Sequence, residues 1–192
     1  MPTPPADADA FGLLAAARHS PADDLPRLAY AAWLEDRGEG GRSLFIRLQC
    51  ESALLPRGDR EGERLEAQAQ ALLDRRPDWR RPHSASAVEF LRFHRGLPCA
   101  IRVQGAEGLG ELLTSDCGEA VEELIIDGSG VDSFIAMERS LQAIAAHPRL
   151  RLLRRLRIEN AGLRMEHMSA LASSPLLGRL EELGVGGNPI GE

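Results

Sequence analysis

Leu153–Leu163 reads LRRLRIENAGL, and the spacing of Leu153, Leu156, Ile158 and Leu163 recurs elsewhere in the chain. Val121–Val131, VEELIIDGSGV, places Val121, Leu124, Ile126 and Val131 at the same offsets. Leu180–Ile190, LEELGVGGNPI, repeats them with Leu180, Leu183, Val185 and Ile190. The three segments start 32 and 27 residues apart, and a weaker fourth, PCAIRVQGAEGL (Pro98–Leu109), precedes them. Self-similarity at such a period signals stacked units, because no single unit buries its own apolar stripe. Apolar–polar alternation inside each segment predicts a short strand. The stretches between, SFIAMERSLQAIAAHP (Ser133–Pro148) and RMEHMSALASSP (Arg164–Pro175), read as helices closed by proline.

The pattern L-x-x-L-x-L-x-x-N-x-L, with a strand, a turn and a helix per unit, resembles leucine-rich repeats of the long, ribonuclease-inhibitor-like type. The resemblance implies a short solenoid over residues 98–192, with parallel strands on one side and helices on the other. Asn188 occupies the asparagine position of the last unit, where Ser129 and Ala161 stand in the other two. An asparagine there normally satisfies backbone groups inside the turn, so less regular coils are expected at residues 129 and 161. SAVEFLRFHRG (Ser86–Gly96) is expected to add an edge strand ahead of the array.

On the strands, alternation sends Leu124 and Ile126 inward and leaves Glu123, Ile125 and Asp127 on the outer surface. Their counterparts are Arg155, Arg157 and Glu159, then Glu182, Gly184 and Gly186. Stacked in register, Glu123 neighbours Arg155, which neighbours Glu182, and a second column reads Glu122, Arg154, Glu181. Opposite charges on adjacent strands favour a register by about 0.2–1 kcal/mol per pair. The ladder pins the stacking or binds a partner, and the two roles are compatible. Glu123, Ile125, Asp127, Arg155, Arg157, Glu159 and Glu182 are the expected partner-contact residues.

The front half is helical. Residues 1–8 are expected as a disordered lead, after which Asp9 caps a helix through Arg18 that buries Phe11, Leu14 and Ala15. Leu25, Leu28, Ala29, Ala32 and Trp33 fall on one face of the next helix. Gly38 ends it, and Ser43 caps a third helix with Leu44, Phe45 and Leu48 buried. Leu65, Ala69, Leu72 and Leu73 line a fourth, from Glu61 to Arg76, which Pro77 stops. Leu28, Trp33, Phe45 and Leu48 are the expected core of this domain, residues 9–80, with 81–97 as a connector.

The spacing D-x-P-R-L-x-Y-A-x-W-L-E-x-x-G from Asp24 to Gly38, with F-I-R-x-Q from Phe45 to Gln49, resembles the bacterial repeat-companion domain. FHRGL (Phe93–Leu97) resembles the segment that joins that domain to repeats. The departure is Ala32, where the family commonly carries aspartate. The resemblance implies an N-terminal neighbour of repeats and brings no known activity with it.

Composition narrows the chemistry. The net charge of −6 over 192 residues argues against a nucleic-acid binder that works by neutralising phosphates. All 23 basic residues are arginine, as codon bias in a GC-rich bacterial genome would produce. No apolar run is long enough to span a bilayer, and MPTPPADADA lacks the basic and apolar regions of a secretory signal. Three cysteines, Cys50, Cys99 and Cys117, are odd in number and widely spaced, which points to a reduced, cytoplasmic setting without zinc.

RGEGGRS (Arg37–Ser43) holds glycines, but a helix feeds it where a phosphate loop needs a strand, so a helix–turn–helix hinge is expected. The five histidines show no metal-ligand spacing, and no G-x-S-x-G elbow occurs. Cys117, beside Asp116 and Glu119, would have its thiolate disfavoured. No catalytic residue, cofactor or metal is assigned. The expected function is a non-enzymatic protein–protein interaction module; the alternative is an antitoxin-like regulator or inhibitor of a partner enzyme. The last unit ends at NPIGE without a visible cap, so end-to-end self-association is a further expectation.

Overall fold

The computed structural model describes residues 5–81, 87–114, 121–129, 142–144, 147 and 150–191. The chain is mixed α/β and divides into two compact units, one of Met1–Arg80 with Phe93–Leu97, the other of Arg81–Arg92 with Pro98–Glu192.

The helical unit contains α1 (Pro5–His19), α2 (Leu25–Glu35), α3 (Gly40–Ser52), α4 (Arg60–Arg75) and a 3-10 turn, Pro77–Arg80. Successive helices pack on one another. Asp59 caps α4, accepting from the amides of Glu61 at 2.9 Å and Gly62 at 3.2 Å. Gly38, at φ +80°, closes α2: its own N–H donates to Glu35 O and that of Glu39 to Leu34 O, the double bond of a Schellman turn. The glycine-rich segment is therefore the helix–turn–helix hinge expected of it, and Gly40 already belongs to α3.

The aromatic core is Phe45 between Trp79 and Phe93, with ring centroids 5.9 and 5.3 Å away. Leu34, Ile46, Leu65, Ala69 and Leu73 complete it, each under 5 % exposed.

Several expectations about helix faces are corrected here. Helix α1 starts at Pro5, so Asp9 lies inside it; Phe11 is 53 % exposed and the buried positions are Ala17 and Arg18. In α2 the buried stripe is Arg27, Ala31 and Leu34, while Leu25, Ala29 and Ala32 are exposed. The face is rotated because Arg27 can be buried: its Nη1 donates to Asp23 O at 2.6 Å and Ser20 O at 3.3 Å. Burial holds the Arg27 pKa below the usual guanidinium value, and Asp24 partly offsets that. Trp33 is half-buried, stacked on Tyr30 and covered by the Arg37 guanidinium 3.8 Å from its ring, so Trp79 takes the core place expected of it. Ser43 is no cap. It sits inside α3, 2 % exposed, with its Oγ 3.4 Å from Glu35 Oε2, and Leu44 points outward.

The sheet unit follows the order β1 (Val88–His94), β2 (Leu97–Gln104), β3 (Glu123–Asp127), β4 (Arg155–Glu159) and β5 (Glu182–Gly184). Strand β1 lies at the edge, as Ser86–Gly96 suggested, and β2 to β5 run parallel. Helix α5 (Gly105–Thr114) follows β2, and α6 (Met165–Ala172) follows β4. Of the stretch expected as a helix at 133–148, residues 142–144 are helical and most of the rest lies outside the described residues.

The register aligns Ile101, Leu124, Leu156 and Leu183 in one column and Val103, Ile126 and Ile158 in the next. Apart from Leu183, these side chains are at most 1 % exposed. Fully burying such a chain contributes about 1.5–3 kcal/mol, so these columns are a principal stabilising element of the unit.

At the ends of β4 and β5 one side chain organises two turns. Asn188 Oδ1 accepts from the amides of Ala161 at 2.9 Å and Leu163 at 3.1 Å. Its Nδ2 donates to Ile158 O at 2.8 Å, Val185 O at 2.9 Å and Gly186 O at 3.0 Å. The turn at Ala161, with alanine at that position, is thus satisfied from the turn that follows β5.

Candidate functional site

Parallel sheets are commonly covered on both faces, and their strands then read as continuous apolar runs. Here most alternate positions of β3 to β5 are charged, Ile125 and Gly184 excepted, and these residues stand in three columns. Ala100, Glu123, Arg155 and Glu182 form the first; Arg102, Ile125, Arg157 and Gly184 the second; Gln104, Asp127 and Glu159 the third. The register expected for Glu123, Arg155 and Glu182 is the register observed.

Glu123 sits between two guanidiniums, 3.2 Å from Arg92 Nη2 and 3.4 Å from Arg155 Nε, with only 12 % of its side chain exposed. Arg92 also donates from Nε to Cys99 Sγ at 3.4 Å. Burial pushes the Cys99 thiol up, opposed by Arg92, so at neutral pH it accepts that bond as a thiol. The bond to Cys99, set against desolvation, raises the Arg92 pKa.

Glu182 is paired differently from the expectation. Its Oε1 accepts from Arg157 Nη2 at 3.1 Å, two residues along the neighbouring strand from its register partner Arg155. Gly184 opens that path: a Cβ there would lie 3.1 Å from Arg157 Cγ, so the arginine stem crosses the place where a side chain would stand. In the second expected column, Arg154 Nη1 meets Glu181 Oε1 at 2.9 Å. The main chain of the same column continues the ladder, with Arg154 N–H donating to Glu122 O and Glu181 N–H to Arg154 O.

Of the seven expected contact residues, Ile125 is corrected. Alternation places it on the outer face, but it is 5 % exposed. In register it lies between Arg102 and Arg157 on the two neighbouring strands. Glu123, Asp127, Arg155, Arg157, Glu159 and Glu182 all retain exposure.

Asp127 accepts from Ser129 Oγ at 2.6 Å and Ser129 N at 3.1 Å, and these bonds hold its carboxyl below the usual carboxylate range. Glu159 is its in-register neighbour, so the third column carries two carboxylates side by side. Sequence reasoning missed Arg92 and Arg102, whose signal was the presence of arginine on the two strands preceding β3.

Among the described residues no group of three or more His, Cys, Asp or Glu could hold a metal ion, and no helix is long and apolar enough to cross a membrane. Cys117, with Asp116 and Glu119, lies outside the described residues. Comparison with protein-family models, with curated proteins and with solved structures gives no match to this chain.

Proposed function

We propose that the chain is a non-enzymatic module that binds another protein through the charged outer face of its parallel sheet. The observation that carries this reading is the face itself: Glu123 with Arg155 and Arg157 with Glu182 form two ion pairs across neighbouring strands, with Asp127 and Glu159 alongside. Side chains already held by their neighbours lose little freedom on binding, which favours a preorganised contact surface. Alternating charge also discriminates among partners, because a wrong juxtaposition is repulsive.

The units behind the face are read as short leucine-rich repeats. Matching apolar columns and the bridging of successive turns by Asn188 support that reading, since both arise when strand–turn–helix units stack. The helical unit is read as a repeat-companion domain, and the protein as a bacterial cytoplasmic one with no nucleic-acid or membrane partner.

The test is affinity capture from the source cell with the wild type and with Arg155→Glu plus Arg157→Glu. A specific protein retained by the wild type and lost with the double variant, whose circular dichroism is unchanged, is the expected result. Equal retention by both proteins would remove the face from the binding role.

A further inference from the structure

Residues Phe93–Leu97 cluster with the helical unit, although the residues on either side of them in β1 and β2 belong to the sheet unit. They form the tip of the hairpin that joins those strands. Arg95 and Gly96 both have positive φ, 51° and 81°, as a two-residue type I′ turn requires.

Within the helical unit this tip fills a seat built from α3 and the turn that leads into α2. Phe93 meets Phe45 edge-on, with rings at 90°. The Gly96 N–H donates to Gln49 Oε1 at 2.8 Å in a buried bond. Arg95 Nη1 donates to Asp24 Oδ1 at 3.0 Å and Ala22 O at 3.2 Å. The fit at Gly96 is tight, since a Cβ there would lie 2.6 Å from Ile46 Cγ1.

The seat has no use without its occupant. Gln49 is a polar side chain 7 % exposed in a helix interior, and its oxygen is met by an amide 47 residues later. Leaving it unmet would cost the desolvation of a buried acceptor. Phe45 and Ile46, 3 % and 2 % exposed, owe part of their cover to Phe93 and Gly96.

We infer that the helical unit is a receptor for the hairpin tip, and that α2 and α3 reach their folded stability only with residues 93–97 in the seat. The segment that reads as a connector is then the last piece of the front unit's core. The unit recognises a turn of defined shape and chemistry: an aromatic residue, an arginine at positive φ and a glycine without room for a side chain.

Hydrogen exchange of the full chain, followed by mass spectrometry, tests this. Arg95→Ala keeps the glycine turn but removes the bond to Asp24; Gly96→Ala blocks the seat. Each is expected to accelerate exchange in α2 and α3 by about tenfold or more, with β3 and β4 keeping wild-type rates. If Gly96→Ala proves insoluble, Arg95→Ala decides alone. Wild-type exchange in α2 and α3, or the same acceleration in every element, would overturn the inference.

Discussion

Gln49 in the helical unit and Asn188 in the sheet unit are both amide side chains that satisfy distant backbone. Gln49 serves one amide, Gly96 N–H, in a place where only a glycine fits. Asn188 serves five backbone groups spread over two successive turns. The first contact is a single bond and the second ties two successive turns together. A fold of singular contacts concentrates its sensitivity in a few residues, whereas aligned apolar columns spread it along the sheet.

The sharpest way to break that contrast is Leu156→Ala. Leu156 is 0 % exposed and lies between Leu124 and Leu183 in the central column. Urea unfolding should show a loss of about 2–5 kcal/mol, the usual range for a large-to-small core change. A loss below about 1 kcal/mol would mean that the columns do not carry the sheet unit.

Asn188→Ala comes next. It strips partners from two turns at once, so a loss of about 2–3 kcal/mol is expected. Asp59→Ala removes a single helix cap in the other unit and should cost about 1 kcal/mol. Equal losses in the two variants would erase the distinction between a bridging amide and a local cap.

The smallest effect concerns acid. Asp127 in the sheet unit and Asp78 in the helical unit both have lowered pKa values, from bonds to Ser129 and to Arg76 respectively. A depressed folded pKa gives stability that is present above the unfolded value, about 4, and is lost as pH falls through the folded value. Asp127→Asn and Asp78→Asn should therefore each make the acid side of a stability–pH curve shallower. A curve of unchanged slope in either variant would show that its carboxylate is not coupled to folding.

The sheet was the more legible half. Period-two alternation fixes which residues face inward, and repetition fixes the register, so Glu123, Arg155 and Glu182 could be aligned from the chain alone. Whether Ile125 was exposed could not be read this way, because that depends on what the neighbouring strands place beside it. In the helices, periodicity announces a buried face but not its rotation when an arginine belongs to it. Arg27 looks like a solvent residue until the carbonyls of Ser20 and Asp23 turn toward it. The same holds for Ser43, a good cap by composition that instead faces Glu35 and Arg47. Phe93–Leu97 read as a linker because its partners, Asp24, Phe45 and Gln49, lie more than forty residues away in sequence.

The Asn188 bridge also sets an order in time. A ribosome releases the chain from its N-terminus, yet the amide of Ala161 is met by a side chain synthesised 27 residues afterwards. At about 5–20 residues per second, that delay is about 1–5 s. For that interval the emerging β4 turn holds amides and a carbonyl without their final partner, and water must serve them. Until residue 188 has been made, the β4 turn cannot close with the partner it has in the folded chain.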